Sequence, residues 1–220
     1  MSTERTKRKP QCKPHCANCA DRHTSSERLR MKFCSECAAP VALKIPADDT
    51  RERFVCTVCG TIHYQNPKMV VGTVPVWDID GELKILLCKR AIEPRLGFWT
   101  LPAGFMENNE TSSQAAQRET IEEAGANIEL HELFSILNVP HVHQVHLFYR
   151  ATLLDTDFAA GTESLDVRLF AEHEIPWEEI AFPTITSTLR YFFADHKARR
   201  DGGNFQLHAH DFIKSEQVKA

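Results

Sequence analysis

Residues 104–126 read Gly-Phe-Met-Glu-Asn-Asn-Glu-Thr-Ser-Ser-Gln-Ala-Ala-Gln-Arg-Glu-Thr-Ile-Glu-Glu-Ala-Gly-Ala, and their spacing decides the fold. From Thr111 the composition is helix-forming, with Gln114, Ala115, Ala116, Ile121 and Ala124. Thr111 followed three residues later by Gln114 is a capping-box start, and Gly125 stands where such a helix stops. Glu119, Glu122 and Glu123 then fall at i, i+3 and i+4, so three carboxylates share one helix face. Like charges so placed repel unless cations sit between them. Hard oxygen donors of this kind suit Mg²⁺ or Mn²⁺, and those ions suit phosphate substrates.

On either side of this helix the pattern turns to strands. Met69 to Trp77 is rich in valine, Gly81 marks a turn, and Leu83 to Lys89 reads as the second arm of a hairpin. Pro75 lacks a donor, which points to a strand edge or bulge. After the helix, Ile128 to Leu137 and Val142 to Leu153 read as two strands around a turn at Pro140, and Ser164 to Phe170 as another. Pro176 to Ile180 fits one helical turn, and Thr184 to Lys197 an amphipathic helix. A mixed sheet with one helix per face over residues 67–197 is an α/β sandwich. Residues 198–220 carry little periodicity and read as a loose tail, in which His208 and His210 have no role.

The chain has 220 residues and a net charge of −4, which gives no reason to expect bulk nucleic-acid binding. No apolar run approaches membrane-spanning length, and the start lacks the apolar core of a secretory signal. The eight cysteines therefore fit a reducing cytoplasm, where cysteine pairs usually hold metal. Cys34-x2-Cys37 and Cys56-x2-Cys59, separated by 18 residues, offer four thiolates to one tetrahedral Zn²⁺ in a zinc ribbon over residues 31–66. No ligand position stays open, so that zinc is structural. Cys12, Cys16 and Cys19, with His15 and His23, form a further metal-like cluster. They lie in a basic stretch with almost no apolar residues, so residues 1–30 read as a disordered tail. Cys88 sits in an apolar strand and reads as core. His141, His143 and His146 are of mixed strand facing and read as surface or packing residues.

The acidic stretch resembles the Nudix box, G-x5-E-x7-R-E-U-x-E-E-x-G-U, where U is aliphatic. Every charged position and both glycines match; Thr120 stands at the first aliphatic position and Ala126 is a small version of the second. The resemblance implies the α/β/α Nudix sandwich, preceded here by the ribbon, and hydrolysis of a nucleoside diphosphate linked to another group. It implies that Glu119, Glu122 and Glu123 ligate Mg²⁺ or Mn²⁺ with the backbone carbonyl of Gly104. Arg118 would orient the carboxylates and Glu110 would brace the loop. The general base is either a box glutamate or a later loop glutamate, for which Glu163 is the best placed. Arg90 would hold a substrate phosphate, although a surface salt bridge explains it equally well.

Ribbon followed by Nudix domain is the order found in NADH pyrophosphatases, yet their SQPWPFPxS signature is missing from Ile136 to His143. The runs Tyr64 to Gly72, Leu86 to Arg90, Trp99 to Gly104, Glu163 to Leu165 and Arg168 to Phe170 are instead similar to zinc-ribbon hydrolases related to a plant FAD/ADP-ribose pyrophosphatase. That resemblance implies release of AMP from FAD or ADP-ribose, and a homodimer. NADH pyrophosphatase, RNA cap removal and a non-catalytic nucleotide-sensing regulator are the alternatives.

Overall fold

The computed structural model describes residues 31–79, 81–200 and 202–213; the N-terminal Cys12, Cys16 and Cys19 cluster lies outside the described residues. The chain divides into two units, Met1–Gln65 and Asn66–Ala220. In the first, β1 (Val41–Lys44), β2 (Arg53–Cys56) and β3 (Ile62–His63) form a three-stranded antiparallel sheet.

The second unit is built on an eight-stranded mixed sheet. Its strands are β4 (Lys68–Ile79), β5 (Glu82–Arg90), β6 (Trp99–Thr100), β7 (Ala103–Phe105), β8 (Ile128–Val139), β9 (Gln144–Leu153), β10 (Ser164–Phe170) and β11 (His208–Asp211). The order is β10-β5-β4-β9-β8-β11, with β6 beside β5 and β7 beside β4. The β4/β9 and β8/β11 pairs are parallel and the rest antiparallel. Helix α1 (Ser112–Ala124) places small residues, Ala115 and Ala116, against Val71 and Leu147. Helix α2 (Pro183–Arg200) sets Ile185, Leu189, Phe192 and Phe193 into a second cluster with Val74, Phe134 and Phe148. Val71 and Val74 thus serve opposite faces of β4, and the sheet lies between the helices.

Helix α1 opens as its sequence dictates. Gln114 N–H donates to Thr111 Oγ1 at 3.2 Å, and Thr111 N–H donates to Gln114 Oε1 at 2.8 Å. Gly125 closes it in the left-handed region, φ 59°, with its N–H on Ile121 O. The loop before β10 then takes up the free carbonyls at that end. Ala159 N–H donates to Ala124 O and Gly161 N–H to Glu123 O. A Cβ on Gly161 would lie 1.8 Å from Glu122 O, so only glycine permits this approach.

Three expectations need correction. Pro75 lies on an inner strand, paired with Ala151 of β9. It is tolerated because β4 changes its antiparallel partner there, from β7 at Val70–Gly72 to β5 at Val76–Ile79. Residues 198–220 are not simply a loose tail. Helix α2 runs on to Arg200, and β11 adds to the β8 edge, where Asn138 Nδ2 donates to Asp211 Oδ1 at 2.7 Å. His208 stacks on Tyr191 at 4.4 Å and lies 3.0 Å from Asp195 Oδ2, so it docks that strand. Finally, β9 starts at Gln144 rather than Val142. His141 lies in a 3₁₀ turn and His143 has φ 56°, so His146 alone of the three occupies a strand.

Thr120, at a box position that calls for an aliphatic side chain, is fully buried against an equally buried Thr73. Their hydroxyls are 2.6 Å apart, and Thr120 donates onward to Ala116 O at 2.8 Å. Both hydroxyls are therefore satisfied in a contact between α1 and β4 that is sealed from the surface. Thr120→Val should leave the Thr73 hydroxyl unpartnered and cost about 1–2 kcal/mol. The double variant T73V/T120V should recover most of that loss in denaturant unfolding. Strictly additive losses would show that the two hydroxyls do not act as a pair.

Candidate active site

The acidic face of α1 opens on a cavity of about 760 Å³. Its walls bring together Gly104, Arg118, Glu119, Glu122 and Glu123 with Arg90 from the end of β5 and Glu163 from the loop before β10. All seven residues singled out for this site by sequence thus border one space.

Arg118 stands at the centre of the carboxylates. Its Nε and Nη2 donate to the two oxygens of Glu110 at 3.0 and 2.7 Å. Nη1 donates to Glu119 at 2.7 Å and to Glu122 at 3.0 Å, and Nη2 also to Phe105 O at 3.1 Å. Every guanidinium N–H is therefore engaged. The Glu110 carboxylate raises the Arg118 guanidinium above its ordinary range, and Arg118 in turn holds the Glu110 carboxyl below its own. Glu110 also accepts from Glu107 N–H at 2.6 Å, which ties the loop before α1.

Glu119 and Glu123 are buried, whereas Glu122 is exposed. Burial pushes the Glu119 carboxyl up despite Arg118. Burial, opposed by the Ala103 N–H at 3.1 Å and reinforced by the Glu119 charge, pushes Glu123 up to about 7. A Cβ on Gly104 would come 2.3 Å from Glu119 Oε2, so the carboxylate lies directly on the β7 backbone. Two buried carboxyls that resist ionisation beside the backbone of a strand fit a hard divalent cation, whose charge would reverse both shifts. Glu163 is exposed, and its carbonyl accepts from Ala91 N–H at 2.8 Å, which fixes the loop beside Arg90. Arg90 Nε donates to Pro94 O at 2.9 Å while its guanidinium lies 5.3 Å from the Phe182 ring.

Sequence reasoning overlooked the other side of this space. Phe105, Gln144, His146, Phe148 and Phe182 also line it. Gln144 and His146 stand two apart on β9, a period-2 signal that needs the true start of the strand before it can be read.

In the first unit, Cys34, Cys37, Cys56 and Cys59 place four Sγ atoms within 4.8 Å of one another. The separations Cys34–Cys59, Cys37–Cys56 and Cys37–Cys59 are 3.6, 3.4 and 3.4 Å. A tetrahedron with Zn–S arms of about 2.3 Å has edges of about 3.8 Å, so the cage fits zinc. Thr61 holds the Cys59 thiol down to about 6, and the Cys59 and Val58 amides lower Cys56. Against the Ala39 amide, the neighbouring Cys59 and Cys56 thiols push Cys37 up to about 12.

A model described as the NUDIX domain matches residues 66–195, and one described as Nudix N-terminal, a zinc ribbon, matches residues 32–65. The chain belongs to the Nudix family. A NUDIX hydrolase structure from Nitrosomonas europaea is 52% identical and covers 82% of this chain and 99% of its own, with a TM-score of 0.74. A NAD-capped RNA hydrolase NudC of Stutzerimonas stutzeri is 26% identical over 78% of this chain. The chain spans 58% of that relative's length. An ADP-ribose pyrophosphatase of Methanocaldococcus jannaschii is 27% identical over 51% of this chain and 67% of its own. Among the described residues of this Nudix chain, no helix is long and apolar enough to cross a membrane.

Two predictions follow from these geometries. Glu123 has a folded pKa raised to about 7 from 4.5, so the folded state binds its proton more tightly than the unfolded state. Stability without divalent metal should therefore fall as pH rises across that window, by about 3 kcal/mol at most from this group. Glu123→Gln should be more stable than the parent at pH 8 and indistinguishable from it at pH 4. Parallel melting curves against pH for the two proteins would refute the burial argument. For the ribbon, metal analysis should find about one Zn²⁺ per chain, lost in Cys56→Ser together with solubility. A zinc-free, fully stable parent would refute the cage.

Proposed function

We propose that this Nudix chain hydrolyses the pyrophosphate bond of a nucleoside diphosphate linked to a second group, with FAD and ADP-ribose as the favoured substrates and AMP released from both. The observation that carries this reading is the buried carboxylate pair, Glu119 and Glu123, facing a cavity bordered by two arginines. Mg²⁺ or Mn²⁺ held by Glu119, Glu122, Glu123 and the Gly104 carbonyl would neutralise the pyrophosphate and acidify the attacking water. Arg118 fixes the carboxylates in one arrangement, so they need not reorganise when substrate enters. Arg90 supplies a fixed positive charge for a phosphate oxygen. Glu163, an exposed carboxylate on the cavity wall, accepts the proton of the water as general base.

The named ADP-ribose pyrophosphatase relative supports the substrate choice, as does the missing NADH signature. The NAD-capped RNA hydrolase relative, matched over 78% of the chain, favours a second reading in which the nicotinamide cap of an RNA is cut. The chain acts in the cytoplasm, and as a homodimer, in both readings.

Glu122→Gln keeps size and helix propensity while removing one charge. Turnover should fall about a thousandfold or more, close to 4 kcal/mol of barrier, with the fold intact by circular dichroism. Catalytic efficiencies for FAD, ADP-ribose, NADH and NAD-capped RNA, with product identification, decide the substrate. A tenfold advantage for the capped RNA would replace the first reading by the second, and one for NADH would overturn the choice of FAD and ADP-ribose.

A further inference from the structure

The cavity has two unlike ends. The carboxylates stand on the α1 face of the sheet, whereas Val70, Phe105, Phe148 and Phe182 line an apolar chamber that reaches the α2 side. Val70 pairs with Phe105 of β7 on one side and with His146 of β9 on the other, so the three side chains form a row across three strands. Gln144 lies two residues before His146 on the same face and also borders the cavity. Beside these apolar side chains, Gln144 and His146 bring polar groups to the cavity from β9.

These two side chains are bonded to each other, His146 Nε2 to Gln144 Oε1 at 3.0 Å. The opposite ring nitrogen, Nδ1, is sealed from solvent and has no partner. Burial pushes the imidazolium down to about 4, so the ring is neutral near pH 7 and carries one N–H. If that proton sat on Nδ1, a buried donor would be orphaned. With the proton on Nε2, only a lone pair is left without a partner, which is the cheaper arrangement. His146 therefore donates to Gln144 Oε1 and fixes which way the amide faces. The amide NH₂ meets no protein acceptor among the described residues, and Oε1 keeps a second lone pair.

We propose that Gln144 is the specificity residue for an adenine ring held in this chamber, and that His146 acts as a positioning residue by preventing the amide from flipping. This rests on the reading of the site as one for an adenine nucleotide. A glutamine amide so oriented donates N–H to adenine N1 and accepts from the exocyclic amino group, whereas hypoxanthine carries N–H at N1. Hypoxanthine and guanine carry an oxygen in place of that amino group, so an acceptor would meet Gln144 Oε1. A free amide could rotate to accommodate them; the His146 bond opposes that rotation. Discrimination thus depends on leaving the wrong ring with unpaired polar groups.

The test measures dissociation constants of AMP, IMP and ribose 5-phosphate by calorimetry, on the full chain and on Gln144→Leu, Gln144→Glu and His146→Phe. The parent should prefer AMP to IMP roughly tenfold or more. Both Gln144 variants should lose that preference, chiefly by weakening AMP. H146F should bring the ratio within about threefold, chiefly by strengthening IMP, because a freed amide can serve both rings. Ribose 5-phosphate should bind all four proteins alike. Equal binding of AMP and IMP to the parent, no AMP binding at millimolar concentration, or variants that keep the parental ratio would each overturn the proposal. If the parent prefers AMP yet cleaves neither FAD nor ADP-ribose, the substrate reading fails while the ring assignment stands.

Discussion

A single guanidinium holds the acidic end of this molecule together. Arg118 meets Glu110, Glu119 and Glu122 and the Phe105 carbonyl, so one side chain joins the loop before α1, the helix itself and the end of β7. Without it, carboxylates at i, i+3 and i+4 would splay apart, and β7 would keep only the Ala103 N–H bond to Glu123 as its polar tie to the helix. Because arginine stays protonated at any accessible pH, this tie holds wherever its carboxylate partners are ionised. In the role proposed for these carboxylates, the remaining negative charge would be left for an exchangeable cation.

Burial does the complementary work. Glu123 reaches back to the Ala103 N–H, and Glu119 rests on Gly104, so both carboxyls are withdrawn from water before any substrate arrives. Their resistance to ionisation is the expense of pre-organisation, and it lies where function requires it. The loop that carries Glu163 is held by the last carbonyls of α1 through Ala159 and Gly161. The candidate base is thereby referenced to the same helix that bears the carboxylates.

What could be read from sequence was mostly local chemistry. The capping pair Thr111 and Gln114, the stop at Gly125 and the two cysteine knuckles all express contacts within a few residues, or ligand sets with fixed spacing. The features that escaped depend on partners distant in the chain. β11 has little apolar content and becomes a strand because β8 offers a free edge. Thr120 looks like a flaw in the box until Thr73 is set opposite it. Pro75 argues for an edge only when one ignores that β4 exchanges partners at that point. His141, His143 and His146 stand close in sequence, but the left-handed His143 ends the 3₁₀ turn and leaves His146 alone on β9.

β7 is three residues long, and its two successive residues Gly104 and Phe105 serve opposite faces of the sheet. Gly104 lies against the acidic helix and Phe105 walls the apolar chamber. Under the roles proposed above, the reacting phosphorus and the ring that identifies the substrate are gauged from adjacent α-carbons, about 3.8 Å apart. Covalent backbone thus acts as a ruler. Side chains around the chamber can be exchanged to admit a different ring, but the span between ring and scissile bond cannot be lengthened without moving the strand that holds Glu119 in place.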